Sequence, residues 1–333
     1  MNFVVYGAGA VGSVLGGMLS LQRADVLLIA RKPLVDVVLG DGLRLKSATG
    51  EHVAHPRAAV SLARADVGEQ ACVLLAVKAH DVSSAVESLT AAIAPDTPVV
   101  CLQNGVAAEE VAARHFSRVY GGVVRMTCSM VKPGHASFRS LGRVVVGLHP
   151  SGPDDVARSL AKTLAETGFD AVASRSIASD KWLKVALNTR SAFHAVIDAR
   201  DHDANEFYEL NVAILEETRR VLKAAKLRAA SCDGKDPSIE EMIAELRRPR
   251  ARRVEHGVKV HNSLWQDLYL KRPRIESEFI HGPLIALGKS HRVATPYNQA
   301  AVDVARRCHQ DGAGPEKLRL ADVMAVVDRY RTA

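Results

Sequence analysis

The sequence predicts an α/β protein in which an N-terminal doubly wound sheet is followed by an all-α C-terminal domain, and three observations indicate this. Short β-branched runs such as Phe3–Tyr6 and Val26–Ala30 alternate with helical stretches in the first half of the chain, a pattern typical of a parallel sheet. After about Ala178 the strand-like runs stop, and long helical patterns continue to Ala333. The chain of 333 residues is long enough for two cores, and 47% hydrophobic residues can fill both.

We expect a sheet domain over residues 1–178 and a helical domain over residues 179–333. Glycines punctuate the stretch Gly134–Gly147, which therefore resembles an antiparallel hairpin added to the sheet edge. The helical domain is predicted to open with one helix over Ile177–Ile197, which leads directly out of the sheet domain. Clefts between domains are common ligand sites, so we expect this helix to carry functional residues.

A glycine-rich turn follows the first predicted strand. Gly7, Gly9 and Gly12 lie between that strand and a predicted helix over Ala10–Leu21, the context in which this motif binds a dinucleotide in a Rossmann-type fold. The first glycine makes the turn, the second lets the backbone approach a pyrophosphate, and the third packs helix on strand. The helix N-terminus adds N–H donors and a positive dipole. The expected cofactor contacts in this turn are Gly7, Ala8, Gly9, Ala10, Val11 and Gly12.

The residue after the second predicted strand indicates which dinucleotide binds. A carboxylate there accepts hydrogen bonds from the ribose of NAD but repels the 2′-phosphate of NADP, which favours a guanidinium. The strand Asp25–Ala30 runs instead into Arg31 and Lys32. We therefore expect NADP as the cofactor, with Arg31 on its 2′-phosphate. A solvated strand end is the alternative role of Arg31, and Lys32 either assists it or is merely exposed.

Two polar side chains follow the next predicted strands. Lys78 comes after Leu74–Val77, and Asn104 with Gly105 comes after Val99–Gln103. Ligands collect at the carboxyl ends of parallel strands. Asn104 is therefore expected to bridge cofactor and substrate, and Lys78 to meet a phosphate or a substrate carboxylate. The alternatives are an Asn-Gly turn and a solvated lysine.

The opening helix of the second domain carries the candidate catalytic group. Lys184 and Asn188 lie one turn apart on one face of it. Reduction of a ketone by hydride develops negative charge on the oxygen, and a lysine ammonium supplies a positive neighbour and a proton. A free lysine, with a pKa of about 10.4, is a poor acid at neutral pH, so this role requires burial. Lys181 is the competing candidate, and the structural alternative is that both lysines snorkel from an amphipathic helix.

Composition excludes several other classes of protein. No apolar run reaches the roughly 20 residues of a membrane span, and no basic leader precedes the first strand. We therefore expect a cytoplasmic protein without a membrane partner. The five cysteines form no Cys-x-x-Cys pair and the 13 histidines have no zinc-ligand spacing, so we expect reduced thiols and no metal. Asp201–Asp203 is interpreted as the cap of a helix start.

The net charge of +7 suits an anionic cofactor and a small anionic substrate. One dense basic segment, the arginine cluster, consists of Arg247, Arg248, Arg250, Arg252 and Arg253. It lacks interleaved aromatic residues and follows several glutamates, so we interpret it as a solvated helix end or loop. No nucleic-acid partner is expected.

Several separate motifs, in order along essentially the whole chain, resemble the ketopantoate reductase (2-dehydropantoate 2-reductase) family. They are Gly7–Gly12 with Arg31, Val77–Asp81 around Lys78, Leu102–Gly105 around Asn104, Lys184–Asn188, and Ser263–Asp267 followed by Glu276 and His281-Gly282. The resemblance implies NADPH-dependent reduction of 2-dehydropantoate to (R)-pantoate, a step toward pantothenate and coenzyme A. It also implies a homodimer contact in the helical domain, although nothing in the sequence fixes the oligomeric state.

The resemblance further implies roles for individual residues. Lys184 is the implied proton donor and bonds the substrate carbonyl together with Asn104. Ser263, with Asn262, is implied at the substrate carboxylate, and Glu276 beside the cofactor and the lysine as a second catalytic residue. The implied substrate contacts are Asn104, Lys184, Asn188, Asn262 and Ser263.

One departure from the family pattern falls on the substrate side. The family helix usually carries a second asparagine four residues after the first, where this chain has Ala192. In a continuous helix Ser191 returns to within about 20° of the direction of Lys184 and would present a hydroxyl instead. The alternatives left open are an NADP-dependent reductase of another 2-oxo acid and an opine-type dehydrogenase. From another class come a non-catalytic NADP sensor and a nucleic-acid-associated protein that kept the fold.

Overall fold

The computed structural model describes residues 1–63, 67–68, 70–248 and 261–332. The chain forms two compact units, Met1–Lys181 and Trp182–Ala333. The first is built on a mainly parallel sheet and the second on helices, which confirms the predicted fold class. The predicted domain boundary after residue 178 falls inside the helix Ile177–Asn188, which runs from one unit into the other.

Strands and helices alternate in the first unit, as the sequence pattern predicts. In chain order the described strands are β1 (Asn2–Tyr6), β2 (Val26–Ile29), β3 (Leu43–Ser47), β4 (Gly50–Ala54), β5 (Arg57–Ala59), β6 (Ala71–Leu75), β7 (Val99–Cys101), β8 (Val119–Arg125), β9 (Cys128–Lys132), β10 (His135–Phe138), β11 (Arg143–Leu148) and β12 (Asp170–Ala173). The described helices are α1 (Ala10–Leu21), α2 (Lys32–Gly40), α3 (Val82–Thr90), α4 (Ala108–Ala113), α5 (Asp155–Glu166), α6 (Ile177–Asn188), α7 (Ser191–Val196), α8 (Asn205–Ala224), α9 (Ile239–Arg247), α10 (Ser263–Tyr269), α11 (Ser277–His291), α12 (Pro296–Gln310) and α13 (Leu320–Thr332).

The larger sheet has eight strands in the order β12-β11-β8-β7-β6-β1-β2-β5, and every neighbouring pair except β8 and β11 is parallel. The central strands β1, β2 and β6 are apolar and largely buried, as expected for parallel strands covered on both faces. The chain leaves β1 toward β2 on one side and later enters β6 on the other. Ligands of such sheets bind where the strand order reverses, at the carboxyl ends of the strands.

A second sheet has the order β4-β3-β10-β9 and lies against α1, where Gly17 leaves room for Leu43 and Leu45. The hairpin predicted over Gly134–Gly147 is wrong in its partners. β10 pairs with β9 in this small sheet, whereas β11 pairs antiparallel with β8 in the large one. The β9–β10 segment is thus inserted between β8 and β11, which pair with each other in the large sheet. Glycine spacing does not reveal these strand partners, because they depend on pairing between residues distant in sequence.

The helical unit has a shared apolar core to which α7, α8, α10, α12 and α13 contribute. Its predicted opening helix over Ile177–Ile197 is wrong as a single element, because α6 ends at Asn188 and α7 begins at Ser191. Thr189 Oγ1 donates to Ala186 O at 2.7 Å, and Ser191 Oγ donates to Asn188 O at 2.6 Å. Such side-chain bonds to backbone compete with the regular helix pattern. Among the described helices none is both long and apolar enough to cross a membrane.

A buried polar network joins α8, α11 and α12. The Glu217 carboxylate accepts hydrogen bonds from the backbone N–H groups of Tyr297 (3.0 Å) and Asn298 (2.9 Å) and from the Asn298 side chain (2.8 Å). Asn298 Oδ1 in turn accepts from His281 Nδ1 at 2.8 Å. Burial lowers the pKa of His281 to about 4, so the ring is neutral at pH 7 and donates through Nδ1. The network therefore fixes α11 against the first turn of α12.

Candidate active site

The glycine turn lies where the strand order reverses. The backbone N–H groups of Gly7 and Ala8 donate to Ile29 O at 3.0 and 3.1 Å, which ties the turn to the end of β2. Gly7 has a φ of +101°, and a Cβ there would lie 2.6 Å from the backbone nitrogen of Val77, beyond β6. Both the conformation and the lack of space therefore require glycine at this position.

The other two glycines of the turn differ in what surrounds them. A Cβ at Gly12 would lie 2.5 Å from Gly7 O and 3.0 Å from Val5 Cγ1, so the packing of α1 on β1 explains this glycine. At Gly9 no atom of the packed neighbours among the described residues lies within 4 Å of the Cβ position. Gly9 is also the N-cap of α1 and gives no side-chain bond to the N–H groups of its first turn. The backbone here is open to an anionic ligand.

Arg31 follows β2 next to this turn and begins α2 as its N-cap. Its side chain is exposed and makes no hydrogen bond or ion pair with the residues that the structure describes. Lys32, in contrast, pairs with Asp36 at 2.9 Å across one helical turn. Of the two adjacent cations, Arg31 is therefore the one whose charge is left for a ligand.

Lys78 and Asn104 follow β6 and β7, which are neighbours in the sheet. Lys78 is exposed and precedes a short 3-10 turn, Ala79–Asp81. Asn104 is half-buried, and Gly105 after it has a φ of +99°. The structure thus brings both residues to the same edge of the sheet as the glycine turn.

Gln103 is a positioning residue that the sequence interpretation missed. Only 5% of its surface is exposed, and its Nε2 donates to Leu75 O at 2.8 Å and Val77 O at 3.1 Å. It therefore joins the loop before Asn104 to the loop before Lys78. A polar residue directly after a buried strand is the signal that could have identified it, but its partners follow only from the pairing of β6 with β7.

The lysines of α6 have different surroundings. Lys181 is 4% exposed and forms an ion pair with Glu109, which is 2% exposed. This pairing engages the Lys181 ammonium with a buried carboxylate of α4, so Lys184 is the better candidate for the proton donor. Lys184, in the next turn, is 9% exposed, and Asn188, one turn further, is half-buried. The burial that a proton-donating lysine requires is therefore present at Lys184, which is not a snorkelling surface residue.

The hydroxyl of Ser191 does not continue the face of Lys184 as predicted. Because α6 ends at Asn188, the helical rotation that would align Ser191 with Lys184 is interrupted, and its hydroxyl donates to Asn188 O. Ala192 is 1% exposed and lies in the apolar core of the helical unit. Position 192 is therefore a core position in this chain.

Asn262 and Ser263 stand at the start of α10. Asn262 Oδ1 accepts from the backbone N–H of Trp265 at 2.9 Å, which caps the helix, and Nδ2 donates to Ser191 O at 2.9 Å. One N–H of the Asn262 amide is left after these bonds. Ser263 is exposed as the first residue of the helix.

Glu276 is the N-cap residue of α11 and is 9% exposed. The Glu276 carboxylate makes no capping hydrogen bond to the backbone N–H groups of α11, so helix capping does not explain it. The network through His281 and Asn298 holds the same helix in place. Glu276 is thus a buried carboxylate on a firmly packed element.

The segment Asp201–Asp203 does not cap the helix that follows it, because α8 has Ala204 as its N-cap without a side-chain bond. Asp201 instead accepts from the backbone N–H of Leu320, the first residue of α13, at 2.9 Å and from Arg319 at 2.7 and 2.8 Å. The carboxylate thus caps a helix distant in sequence. No group of three or more His, Cys, Asp or Glu residues in the described part of the chain is arranged to hold a metal ion.

The arginine cluster is only partly described. Arg247 pairs with Glu216 at 2.7 Å, and Arg248 pairs with Glu245 at 3.0 Å. Both lie at the end of α9 in ion pairs with neighbouring carboxylates. Arg250, Arg252 and Arg253 lie outside the described residues.

Comparison with known protein families identifies two matches that together span most of the chain. The family model described as ketopantoate reductase PanE/ApbA matches residues 3–151, and the model of the C-terminal domain of the same family matches residues 176–309. A 2-dehydropantoate 2-reductase of Pyrococcus horikoshii is 26% identical over 302 residues, which cover 90% of this chain and 94% of the relative.

Solved structures show the same fold. The crystal structure of 2-dehydropantoate 2-reductase from Methylococcus capsulatus is 26% identical, with a TM-score of 0.76, over 94% of this chain and 98% of that one. A ternary structure of D-mandelate dehydrogenase with NADH and anilino(oxo)acetate is 24% identical, with a TM-score of 0.77, over 94% and 100% of the two chains. The second likeness concerns the fold alone.

The open space at Gly9 predicts a separation of stability from ligand binding. Gly9→Ala places a methyl group where no neighbouring side chain lies, so we expect the Tm to change by no more than about 2 °C. A methyl group forced against a bound pyrophosphate costs about 1–3 kcal/mol, which weakens NADPH binding by about 5- to 150-fold. Fluorescence titration with NADPH and thermal unfolding measure the two quantities.

Gly40→Ala is the matched control, because no packed neighbour among the described residues lies within 4 Å of that Cβ position either, and Gly40 lies at the end of α2. We expect it to alter neither quantity. Unchanged NADPH affinity in Gly9→Ala would show that the turn does not approach a dinucleotide.

Proposed function

The chain belongs to the ketopantoate reductase family, and on that basis we propose that it reduces 2-dehydropantoate to (R)-pantoate with NADPH, a step of pantothenate biosynthesis. The observation that carries the proposal is the cofactor cradle, which combines the open backbone at Gly9 with Arg31 after β2, a guanidinium that no described residue engages. The names of the relatives from Pyrococcus horikoshii and Methylococcus capsulatus support the choice of substrate. A homodimer through the helical unit is part of the same expectation.

The residues of the first unit suit a dinucleotide with a 2′-phosphate. The N–H groups from Gly7 to Gly12 would hold the pyrophosphate at the start of α1, where the helix dipole favours an anion. Arg31 would hold the 2′-phosphate with a charge-assisted, forked hydrogen bond. Lys78, at the same edge of the sheet, is assigned to a cofactor phosphate, and Asn104 to the nicotinamide side. NADPH, when bound, supplies the hydride for reduction of a carbonyl carbon.

Lys184 is assigned the proton transfer. As the carbonyl carbon is reduced, negative charge develops on the oxygen, and the Lys184 ammonium stabilises that charge and then donates its proton to the oxygen. Asn104 would donate an amide N–H to the same oxygen. Glu276, a buried carboxylate, is assigned a place beside the cofactor and Lys184, where it would hold the ammonium in position.

The substrate carboxylate and hydroxyl require hydrogen-bond donors. The exposed hydroxyl of Ser263 and the N–H of Asn262 that its capping bonds leave over are assigned to the carboxylate. Asn188, one turn after Lys184, is assigned to the substrate as well. These assignments keep the capping role of Asn262, because Oδ1 and one N–H serve the structure and the second N–H serves the ligand.

Ala192 favours a second candidate function, the reduction of a different 2-oxo acid. This position carries a methyl group in the apolar core instead of the second asparagine typical of the family, so one hydrogen-bonding amide expected on the substrate side is lost. The structurally similar D-mandelate dehydrogenase was solved with NADH and anilino(oxo)acetate, an aromatic oxamate that has the carbonyl and carboxylate of a 2-oxo acid. That structure contains NADH, so the shared fold does not by itself select NADPH. The proposed preference of this chain for NADPH therefore rests on Arg31.

Arg31→Ala tests the cofactor assignment. Charge-assisted hydrogen bonds contribute about 1.5–3 kcal/mol, so we expect NADPH binding to weaken about 10- to 150-fold while NADH binding is nearly unchanged. Lys32→Ala is the control on the adjacent cation, which already pairs with Asp36, and should leave the preference unchanged. Equal losses for both cofactors in Arg31→Ala would contradict a role on the 2′-phosphate.

Lys184→Ala tests the proton transfer. General acids typically contribute about 10²- to 10⁴-fold, so we expect kcat to fall by that range while NADPH affinity is retained. Lys162→Ala, an exposed lysine of α5, is the control for loss of one positive charge and should retain the parent kcat. An Lys184→Ala enzyme with activity within a few-fold of the parent would overturn the assignment.

A further inference from the structure

The first turn of α6 packs on a row of small residues in the large sheet. Cys101 of β7, Gly121 of β8 and Gly147 of β11 are register partners in one row across three adjacent strands. A Cβ added at Gly121 would lie 2.8 Å from Ile177 Cγ1, and one at Gly147 would lie 3.0 Å from Ile177 Cβ. The two glycines therefore form a shallow seat against which Ile177, the first residue of α6, packs.

Two buried charged residues hold this first turn. Ser174 Oγ donates to Asp180 Oδ2 at 2.5 Å, and both residues are almost fully buried. Lys181 Nζ forms the ion pair with Glu109 directly above the seat, where a Cβ at Gly121 would lie 3.2 Å from Glu109 Oε1 and 3.4 Å from Lys181 Cδ. Sheet, glycines and ion pair thus form one packed unit.

The ion pair connects the two chain segments that carry proposed substrate contacts. Glu109 lies in the first turn of α4, the helix that follows the Asn104-Gly105 loop. Lys181 lies one turn before Lys184 on α6, which is a continuous helix through Asn188. A rotation or shift of α6 at Lys181 is transmitted to Lys184 because the helix is a rigid element.

A buried ion pair is a costly way to obtain stability alone. Taking two charges out of water offsets much of their attraction, and well-packed apolar residues often stabilise as much. The pair also adds geometric specificity, because a charge-assisted hydrogen bond has a preferred direction. It therefore fixes the rotation of α6 about its axis, whereas apolar contacts alone would let the helix slide. The arrangement fits a positioning element better than a stabilising one.

We propose that the Glu109–Lys181 ion pair, above the Gly121 and Gly147 seat, is a positioning element of the active site that orients Lys184 for proton transfer. This inference rests on the proposed reductase function. Glu109 and Lys181 act through α6 and do not touch the substrate.

The test compares three variants with the parent chain. Glu109→Gln leaves the buried Lys181 ammonium without its counter-charge, and Gly121→Ala pushes on Ile177 without changing any charge. The double variant Glu109→Gln with Lys181→Met removes both charges and is expected to recover most of the thermal stability that Glu109→Gln loses. Asp170→Asn is the control, since it breaks a different partly buried ion pair, with Arg143, which begins β11 four residues before Gly147.

We expect all three variants to lower kcat by about 10- to 100-fold, as small misplacements of catalytic groups do. NADPH affinity should stay within about twofold, because the glycine turn is independent of this seat. Hydrogen–deuterium exchange of the α6 peptide should be faster in all three, and Asp170→Asn should lower the Tm without altering kcat or this exchange.

Two results would overturn the positioning role. One is recovery of the parent kcat by the double variant together with its stability, which would make the pair purely structural. The other is unchanged exchange in α6 when Glu109 or Gly121 is substituted. If the parent chain reduces no 2-oxo acid, the proposed function fails, and the exchange measurement alone decides whether the pair anchors α6.

Discussion

The hydrogen bonds from Gly7 and Ala8 to Ile29 hold together the part of the molecule on which the rest depends. They join the turn after β1 to the end of β2, while the other side of Gly7 contacts Val77 beyond β6. Three strand ends therefore meet at one turn, at the point where the strand order reverses. Gly9 begins α1 directly after this turn, and Arg31 begins α2 two residues after Ile29, so both expected cofactor contacts lie close in sequence to the junction.

The chemistry depends on a second constraint, the seating of α6. This helix begins on the sheet of the first unit and ends in the second unit, so the same rigid element carries both the anchored Lys181 and the buried Lys184. In the helical unit, the network of Glu217, Asn298 and His281 has the same effect on α11, which Glu276 precedes. Buried polar contacts thus hold the elements that carry both proposed catalytic residues.

The sequence predicts the strands and helices of this fold where a local pattern of residues determines the structure. Apolar runs bounded by polar residues predict β1, β2 and β7, and glycine spacing predicts the start of α1. What escaped prediction depends on partners distant in sequence. The pairing of β11 with β8, the break at Thr189, the contacts of Gln103 and the capping of α13 by Asp201 all require the assembled fold.

The central claim is that this chain is an NADPH-dependent reductase of a small 2-oxo acid, and the most direct measurement is the decrease in NADPH absorbance with the purified protein. The assay compares 2-dehydropantoate with a panel that includes pyruvate, 2-oxoisovalerate and phenylglyoxylate, with NADH in parallel. We expect oxidation of NADPH to be fastest with 2-dehydropantoate and slower with NADH. Absence of oxidation with every 2-oxo acid, in protein that binds NADPH, would contradict the claim and indicate a non-catalytic nucleotide-binding protein.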